Sequence, residues 1–511
     1  MSRIKKSSVL LLVIALLFGL FAGCSRDTTE SALESELDES WVDNEQTGSE
    51  QDPTEPSGDS TGKSQPATTE ALVGTTTSRR GSGKQGTNAP SGPAVDWLKG
   101  KTIQIHYNVY DPGKEANTAE GKYAIQQRKA IEEKYGCNLA VSALNLETFI
   151  PRLMVGDSQG IDIVDSCGPD MLRIAIENDF FTQLDGLIDF NKSYINKTHS
   201  ENLVYNKKHY VAVPKKYGLL NIDENLVMFF NKRLVKNAGY NPDDLYKWWK
   251  GGTWTWDKLY EVAVKIHALD ANTYGVDNGV LDNYLWMALI LSNGTELITT
   301  ENGKPIFNIG SPKSLEALNF WYNLSKYTSM HVAAMDVLFI QGRAGFIPQY
   351  VNRLRFNSFS KMKDDFGVIP LPKGPSASKY NSPVSYLWGY AILNASLKGD
   401  DKDIKAKALS IIIDELSKPS IPENALERTV NAMFESVVRD KGSYDVLRAI
   451  NNNSGGINNF SNYYFAMRQV VAFDWNMCQD VAPGKLDVNT AVQQNQDRLS
   501  QEYRDSIHIG K

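Results

Sequence analysis

Four cysteines in 511 residues cannot frame a fold with disulfides. They stand at Cys24, Cys137, Cys167 and Cys478, and no two show the C-x-x-C spacing of a zinc site. Beyond Cys24 an odd three remain, which leaves room for one bridge at most (Cys137 with Cys167) and suits small buried residues. Histidine is equally sparse. His106, His199, His209, His267, His331 and His508 include no H-E-x-x-H pair, so each is expected on the surface or in a hydrogen bond, and no metal or cofactor is called for. Lysine and arginine number 54 against 60 acids, with no basic stripe, so nucleic acid is not an expected partner. The most apolar run, Val9–Phe21, has thirteen residues, where spanning hydrocarbon takes about 20.

That short run has Arg3, Lys5 and Lys6 before it and Ala22-Gly23-Cys24 after it. A basic start, a short apolar core and small residues before a cleavage point are the three parts of a secretory signal. The passage resembles the lipobox of bacterial lipoproteins, with Phe21 where leucine is usual. This resemblance implies that residues 1–23 are removed and Cys24 is lipidated, palmitate included. The protein would then be anchored on the extracellular face of the cell membrane, firmly so with two or more acyl chains. From Ser25 to Val95 there are thirteen acids against five bases and one aromatic residue, Trp41. Such a stretch cannot bury a core, so residues 24–95 read as a disordered acidic linker. As a flexible coil it would span roughly 50 Å, a spacer across a thick wall layer. Gly81-Ser82-Gly83-Lys84 within it lacks the earlier glycine of a phosphate loop and any flanking strand or helix.

The remaining 416 residues, from Asp96, are too many for one simple core and suit two lobes. Ile103, Ile105 and Tyr107 alternate with polar residues at strand period. A charged helix follows, with Ala124, Ile131 and Tyr135 on one face and Gly136 as its C-terminal cap. Leu139, Val141 and Ala143 alternate again, 146–155 reads as a helix, 161–164 as a short buried strand, and about 170–178 as another helix. Strand and helix in alternation argue for a largely parallel sheet covered by helices, whose ligands gather beyond the carboxyl ends of the strands. Residues 107–111 and 165–168 fall on that edge.

Six segments then follow in the order of a known family. Met154-Val155-Gly156-Asp157 leads into Ile161-Asp162-Ile163-Val164; next come His209-Tyr210-Val211-Ala212-Val213-Pro214 and Phe229-Phe230-Asn231-Lys232-Arg233-Leu234, with Ala238-Gly239. Thr253-Trp254-Thr255-Trp256-Asp257, Phe339 to Phe346 and Phe366 to Pro375 complete the set. Together they resemble family 1 extracellular solute-binding proteins, the sugar-capturing components of ABC importers; the resemblance fades after about Ser420. Thr255 can cap a helix bearing Leu259, Ala263 and Ile266, but Lys258 replaces the glutamate of a capping box, so the cap should be weak and Trp256 structural.

The resemblance implies an α/β, two-lobed periplasmic-binding-protein-like (type II) fold with a hinge and a central ligand cleft. Its lobes would be 96–222 plus about 390–420, and 223–389 plus about 421–511. Crossings are expected near Asn221–Asn225, Pro383–Tyr390 and Pro419. A ligand that drives such lobes from almost all open to almost all closed must prefer the closed form by roughly 5.5 kcal/mol. Pyranose rings stack their C–H faces on aromatics while carboxylates and amides take the hydroxyls. The candidates at the family's cleft are therefore Tyr107, Tyr110, Asp165, Trp286, Gln349, Tyr350, Trp388 and Trp475. The alternative duty of each aromatic is core packing, and that of Asp165 a turn at a strand end.

Enzyme readings fare worse. Gly156-Asp157-Ser158-Gln159-Gly160 fits G-x-S-x-G, but a helix is expected before it and a strand after it, the reverse of a nucleophile elbow. A glycosidase needs two carboxylates at defined separation, and nothing singles out a pair. The expectation is a monomeric, non-enzymatic, lipid-anchored protein that captures a sugar or oligosaccharide for the permease subunits of an ABC transporter. The alternatives are another small solute (a peptide, polyamine or metal complex), or a surface carbohydrate-active enzyme or adhesin.

Overall fold

Alternation over 102–107 builds the first strand, β1 (Thr102–Tyr107), with Ile103 and Ile105 fully buried. Helix α1 (Ala119–Tyr135) follows; it buries Ala124, Ile131 and Tyr135 and ends on Gly136 at φ 64, the left-handed cap that glycine adopts without strain. Next come β2 (Asn138–Ala143), α2 (Leu146–Met154) and β3 (Ile163–Ser166). The third strand starts two residues later than its apolar run: the Ile161 N–H closes a turn on the Ser158 carbonyl, and the Asp162 N–H donates to the Gln104 carbonyl of β1. The computed structural model describes residues 91–506 apart from 108–112, 114–117, 144–145, 167–174, 176–177, 205–206, 217, 279–283, 303, 331–335, 356–358, 360–361, 385–387, 455–456, 459–472 and 474–475. Cys24, the leader, most of the linker and the helix expected over 170–178 (Ala175 and Asn178 apart) thus lie outside the described residues. Order begins ahead of Asp96: Pro93–Leu98 is a helix with Pro at its start, and Val95 and Leu98 are buried.

A second set of strands follows: β4 (Leu226–Asn231), then helix α3 (Trp256–His267), β5 (Tyr274–Val276), β6 (Ala344–Tyr350) and β7 (Phe366–Ile369). Thr255 occupies the N-cap of α3 but makes no side-chain capping bond, the weak cap that Lys258 implies. The chain then returns to the first sheet as β8 (Gly389–Ile392) and α4 (Lys402–Ser417).

Two sheets result. The first runs β8-β3-β1-β2, with β1 parallel to both neighbours and β8 antiparallel to β3. The second runs β5-β6-β4-β7, with β4 antiparallel to β6 and β7 and β5 parallel to β6. On one face of the first sheet Ile103, Ile105, Ile163 and Ile392 pack with Ile131 of α1 and Leu409 and Ile412 of α4. On the other, Val164 and Ala391 pack with Phe149, Leu153 and Phe181. The second sheet has its own core, which draws on residues between Leu219 and Tyr380 and again between Val430 and Tyr503. The molecule is two-lobed α/β.

The lobes are joined where two segments run side by side. Ala212 and Tyr390 exchange backbone hydrogen bonds of 2.9 Å each way, and Leu226 N–H donates to the Pro383 carbonyl at 2.7 Å. Asn225 Nδ2 donates to the Ser382 carbonyl at 2.7 Å. A third connection leaves the end of α4, where Gln127 Nε2 from α1 donates to the carbonyls of Glu415 and Lys418 at 3.0 and 2.8 Å. Close approach makes one glycine necessary here: a Cβ on Gly389 would stand 2.5 Å from the Ala212 carbonyl oxygen. Gly389→Ala should therefore destabilise the protein by about 1–3 kcal/mol, read as a lower urea midpoint at unchanged slope. An unchanged midpoint would mean the two segments part easily.

Candidate functional site

Register brings three side chains to one edge of the first sheet: Tyr107 lies opposite Asp165, and Asp165 opposite Tyr390. The two phenols share a hydrogen bond of 3.0 Å and meet edge-to-face at 6.2 Å. The Arg128 guanidinium of α1 lies over the Tyr107 ring, 5.3 Å from its centre. Asp165 is only partly exposed, and burial pushes its carboxyl up to about 7; the nearby Lys216 charge opposes this rise and Asp223 adds to it. Burial, with Tyr107 and Asp165 nearby, also drives the Tyr390 phenol well above its ordinary range.

Lys216 is the hub of the charges. It follows the Ala212–Pro214 segment into the first crossing, so it stands between groups of both lobes. Its positive charge lowers the proton affinity of Asp165, of Asp223 and of His199. Burial dominates at the last two. It raises the Asp223 carboxyl, against Lys216 and Arg355, and it drives His199 down to about 4. Glu224, buried beside them, accepts from Trp388 Nε1 at 3.3 Å and from Asn352 Nδ2 at 3.2 Å, which ties the second crossing to the second lobe.

Two cavities flank Lys216. One, of about 360 Å³, is lined by His199, Asp223, Glu224, Asn225 and Trp388. The other, of about 870 Å³, is lined by Tyr107, Arg128, Asp165, Tyr390 and the connection after α4, and both are open to solvent. Carboxylates, an ammonium, amides and an indole converge, which is equipment for many hydrogen bonds to a polar solute. Among the described residues no group of three or more His, Cys, Asp or Glu could hold a metal. Cys137 is a buried free thiol and Cys478 is buried too, while Cys167 lies outside the described residues.

Of the residues expected at the cleft, Tyr107 and Asp165 sit side by side and Trp388 lies at the crossing, half-buried. Gln349 and Tyr350 end β6, beside the start of β4 where the chain leaves the crossing, and both are buried. Gln349 Nε2 donates to Asp336 at 3.0 Å, and Asp336 also pairs with Arg353 at 3.1 Å. Trp286 is a correction. It is fully buried within the second core, where it meets Phe473 edge-to-face at 5.2 Å. Its helix, Tyr284–Ser292, carries no charge at all, and such a helix is buried on every side. Tyr110 and Trp475 lie outside the described residues. Lys216, Asp223, Glu224, Tyr390, Arg128 and Arg355 were not anticipated. The signal for the first three was their position, directly before and within the expected crossing at 221–225.

Residues 145–409, just over half of the chain, match the family described as bacterial extracellular solute-binding protein. The chain belongs to that family. Solved structures agree on the fold. A cyclic α-maltosyl-1,6-maltose binding protein from Arthrobacter globiformis matches with a TM-score of 0.57 at 15% identity, over 80% of this chain and 99% of its own. An ABC substrate-binding protein from Listeria monocytogenes, solved with cycloalternan, matches at 0.53 and 15%, over 81% of this chain and 100% of its own. The GacH receptor of Streptomyces glaucescens, solved with acarbose, matches at 0.52 and 13%, over 81% and 100%.

Proposed function

We propose that this solute-binding protein captures an oligosaccharide outside the cell and passes it to the permease of an ABC importer, while a lipid on Cys24 and the acidic linker tether it to the membrane. The observation that carries the reading is the convergence of Asp165, Lys216, Asp223 and Trp388 around the two crossings. Carboxylates and an ammonium at fixed positions suit hydroxyls, and the Trp388 indole suits a pyranose face. Three structural relatives that bind saccharides or acarbose support the same class of ligand. Tyr107 would line the first-lobe side; Tyr110 and Trp475 remain candidates of the family resemblance outside the described residues. Membership of a binding-protein family supports capture without turnover.

The test is a thermal-shift panel of mono- and oligosaccharides, peptides and polyamines. A true ligand at a hundred times its Kd stabilises the protein by about 2.7 kcal/mol. Stabilisation by a saccharide alone is expected, with no reducing ends released. Stabilisation by a peptide or polyamine alone would discard the sugar and keep the binding protein. For the tether, radiolabelled palmitate should enter the protein in cells and be lost in Cys24→Ser; equal labelling of both would remove the lipid anchor.

A further inference from the structure

The end of the second sheet nearest the first crossing holds one buried side chain that the site above does not use. β6 ends at Tyr350, which lies beside Leu226, the residue that leaves the first crossing. β5 runs parallel to β6, with Val276 beside Phe346, so the chain just past β5 heads toward the same end. Asn278 stands there, two residues beyond the strand.

Its backbone is held firmly. The Asn278 N–H donates to Ser329 Oγ at 3.1 Å, Ser329 Oγ donates to Asp277 at 2.7 Å, and Asp277 also accepts from the Phe339 N–H at 3.2 Å. These neighbours satisfy one another and leave the amide out. Asn278 is 3% exposed, yet neither its carbonyl oxygen nor its NH2 has a hydrogen-bond partner. Buried amides elsewhere behave differently. Asn225, Asn231, Asn293 and Asn308 all donate to carbonyls or a carboxylate at 2.7–2.9 Å. Asn352, Asn381 and Asn476 have an unpaired oxygen, but the NH2 of each is used. Among the described buried amides, Asn278 alone has both ends unpaired. Buried polar groups are nearly always paired, and a rigidly placed exception marks a group kept for a ligand or a water.

We propose that the Asn278 amide is a solute contact of the second lobe, in which its oxygen accepts from one hydroxyl of a pyranose while its NH2 donates to the adjacent one. This rests on the carbohydrate reading. An amide offers an acceptor and a donor side by side in one plane, the complement of a vicinal hydroxyl pair. The bound state would then satisfy a group that the free protein leaves unpaired, so its hydrogen bonds are gained only with the ligand.

The experiment compares wild type with Asn278→Leu and Asn278→Ala, using α- and β-linked glucose tetrasaccharides and the monodeoxy analogues of whichever binds. Asn278→Leu should melt no lower than wild type without ligand, because an unpaired buried amide is removed. It should nonetheless bind the tetrasaccharide at least tenfold more weakly, and Asn278→Ala should lose as much. Two monodeoxy analogues, one for each hydroxyl of the pair, should each bind wild type about tenfold more weakly than the parent sugar, while the leucine variant binds them as well as it binds the parent. Unchanged affinity in either folded variant overturns the proposal and leaves a water-holding amide. Equal deoxy penalties in wild type and variant overturn it too. If no tetrasaccharide binds the wild type, the carbohydrate reading itself falls for this class of sugar, and the proposal with it.

Discussion

Asp165→Asn is expected to weaken saccharide binding by about ten- to a hundredfold while making the unliganded protein more stable above pH 7. The first effect, read at pH 8 where the carboxyl is ionised, follows from removing a charged acceptor at the edge shared with Tyr107 and Tyr390, since hydrogen bonds to a charged group are worth about 1.5–3 kcal/mol. The second follows from linkage. Burial raises the carboxyl from an ordinary 3.8 to about 7, so the folded state holds its proton more tightly than the unfolded state. Between those two values the unfolded chain sheds the proton while the folded one keeps it. Stability from this group is therefore fully present below about pH 4, falls as pH rises through the window, and is lost above about 7. Asparagine has no proton to lose. Its gain should be near zero at pH 4 and on the order of 2 kcal/mol at pH 8, discounted for partial exposure. His199 works in the opposite sense: its pKa falls from 6.5 to about 4, so its contribution is lost on acidification through that range. Subtracting wild-type from variant melting curves at each pH cancels this contribution. A flat difference from pH 4 to 8 would contradict the buried carboxyl.

Trp254→Ala should produce the largest loss of stability in the molecule. The indole is fully buried and stacked between Trp248 and Phe346, with ring centres 6.5 and 5.9 Å away. Its Nε1–H donates to the Pro370 carbonyl at 2.8 Å, and its backbone N–H donates to the Tyr380 hydroxyl at 3.2 Å. Truncation leaves a large cavity and an orphaned carbonyl between α3 and the connector after β7. Such substitutions cost about 3–5 kcal/mol. For a lobe of this size that lowers Tm by about 10 °C, readable by calorimetry. Saccharide affinity measured well below the new Tm should be unchanged, because Trp254 belongs to the second core. A shift under about 3 °C would mean that the lobe repacks around the gap.

The two tryptophans of Thr253-Trp254-Thr255-Trp256 also show how far the sequence could be read. Spacing and the weak cap identified α3 and the structural duty of Trp256, whose Nε1 donates to Ser292 Oγ at 3.0 Å. Strand alternation and Gly136 placed β1, α1 and β2 for the same reason: those signals are local, and the structure keeps them. Trp286 was misplaced because aromatic content says nothing about depth, although the uncharged Tyr284–Ser292 helix carried the correct signal. Lys216, Asp165 and Asp223 could not be grouped in advance. Strand register and two crossings bring them together, and only Asp165 ends a strand. The chain after Ser420, where the family motifs fade, returns as the helices Glu423–Glu435, Lys441–Asn451 and Val488–Ser506, which contribute to the second core.

The central claim is that the two lobes take an oligosaccharide at Asp165, Lys216 and Trp388. Isothermal titration of the purified protein with linear and cyclic glucose oligosaccharides, peptides and polyamines tests it most directly. Saturable one-to-one binding of a saccharide, much weakened in Asp165→Asn and in Trp388→Ala while both variants stay folded, is the predicted result. Saturable binding of a peptide or polyamine with none of any saccharide, or saccharide binding indifferent to both substitutions, would contradict it.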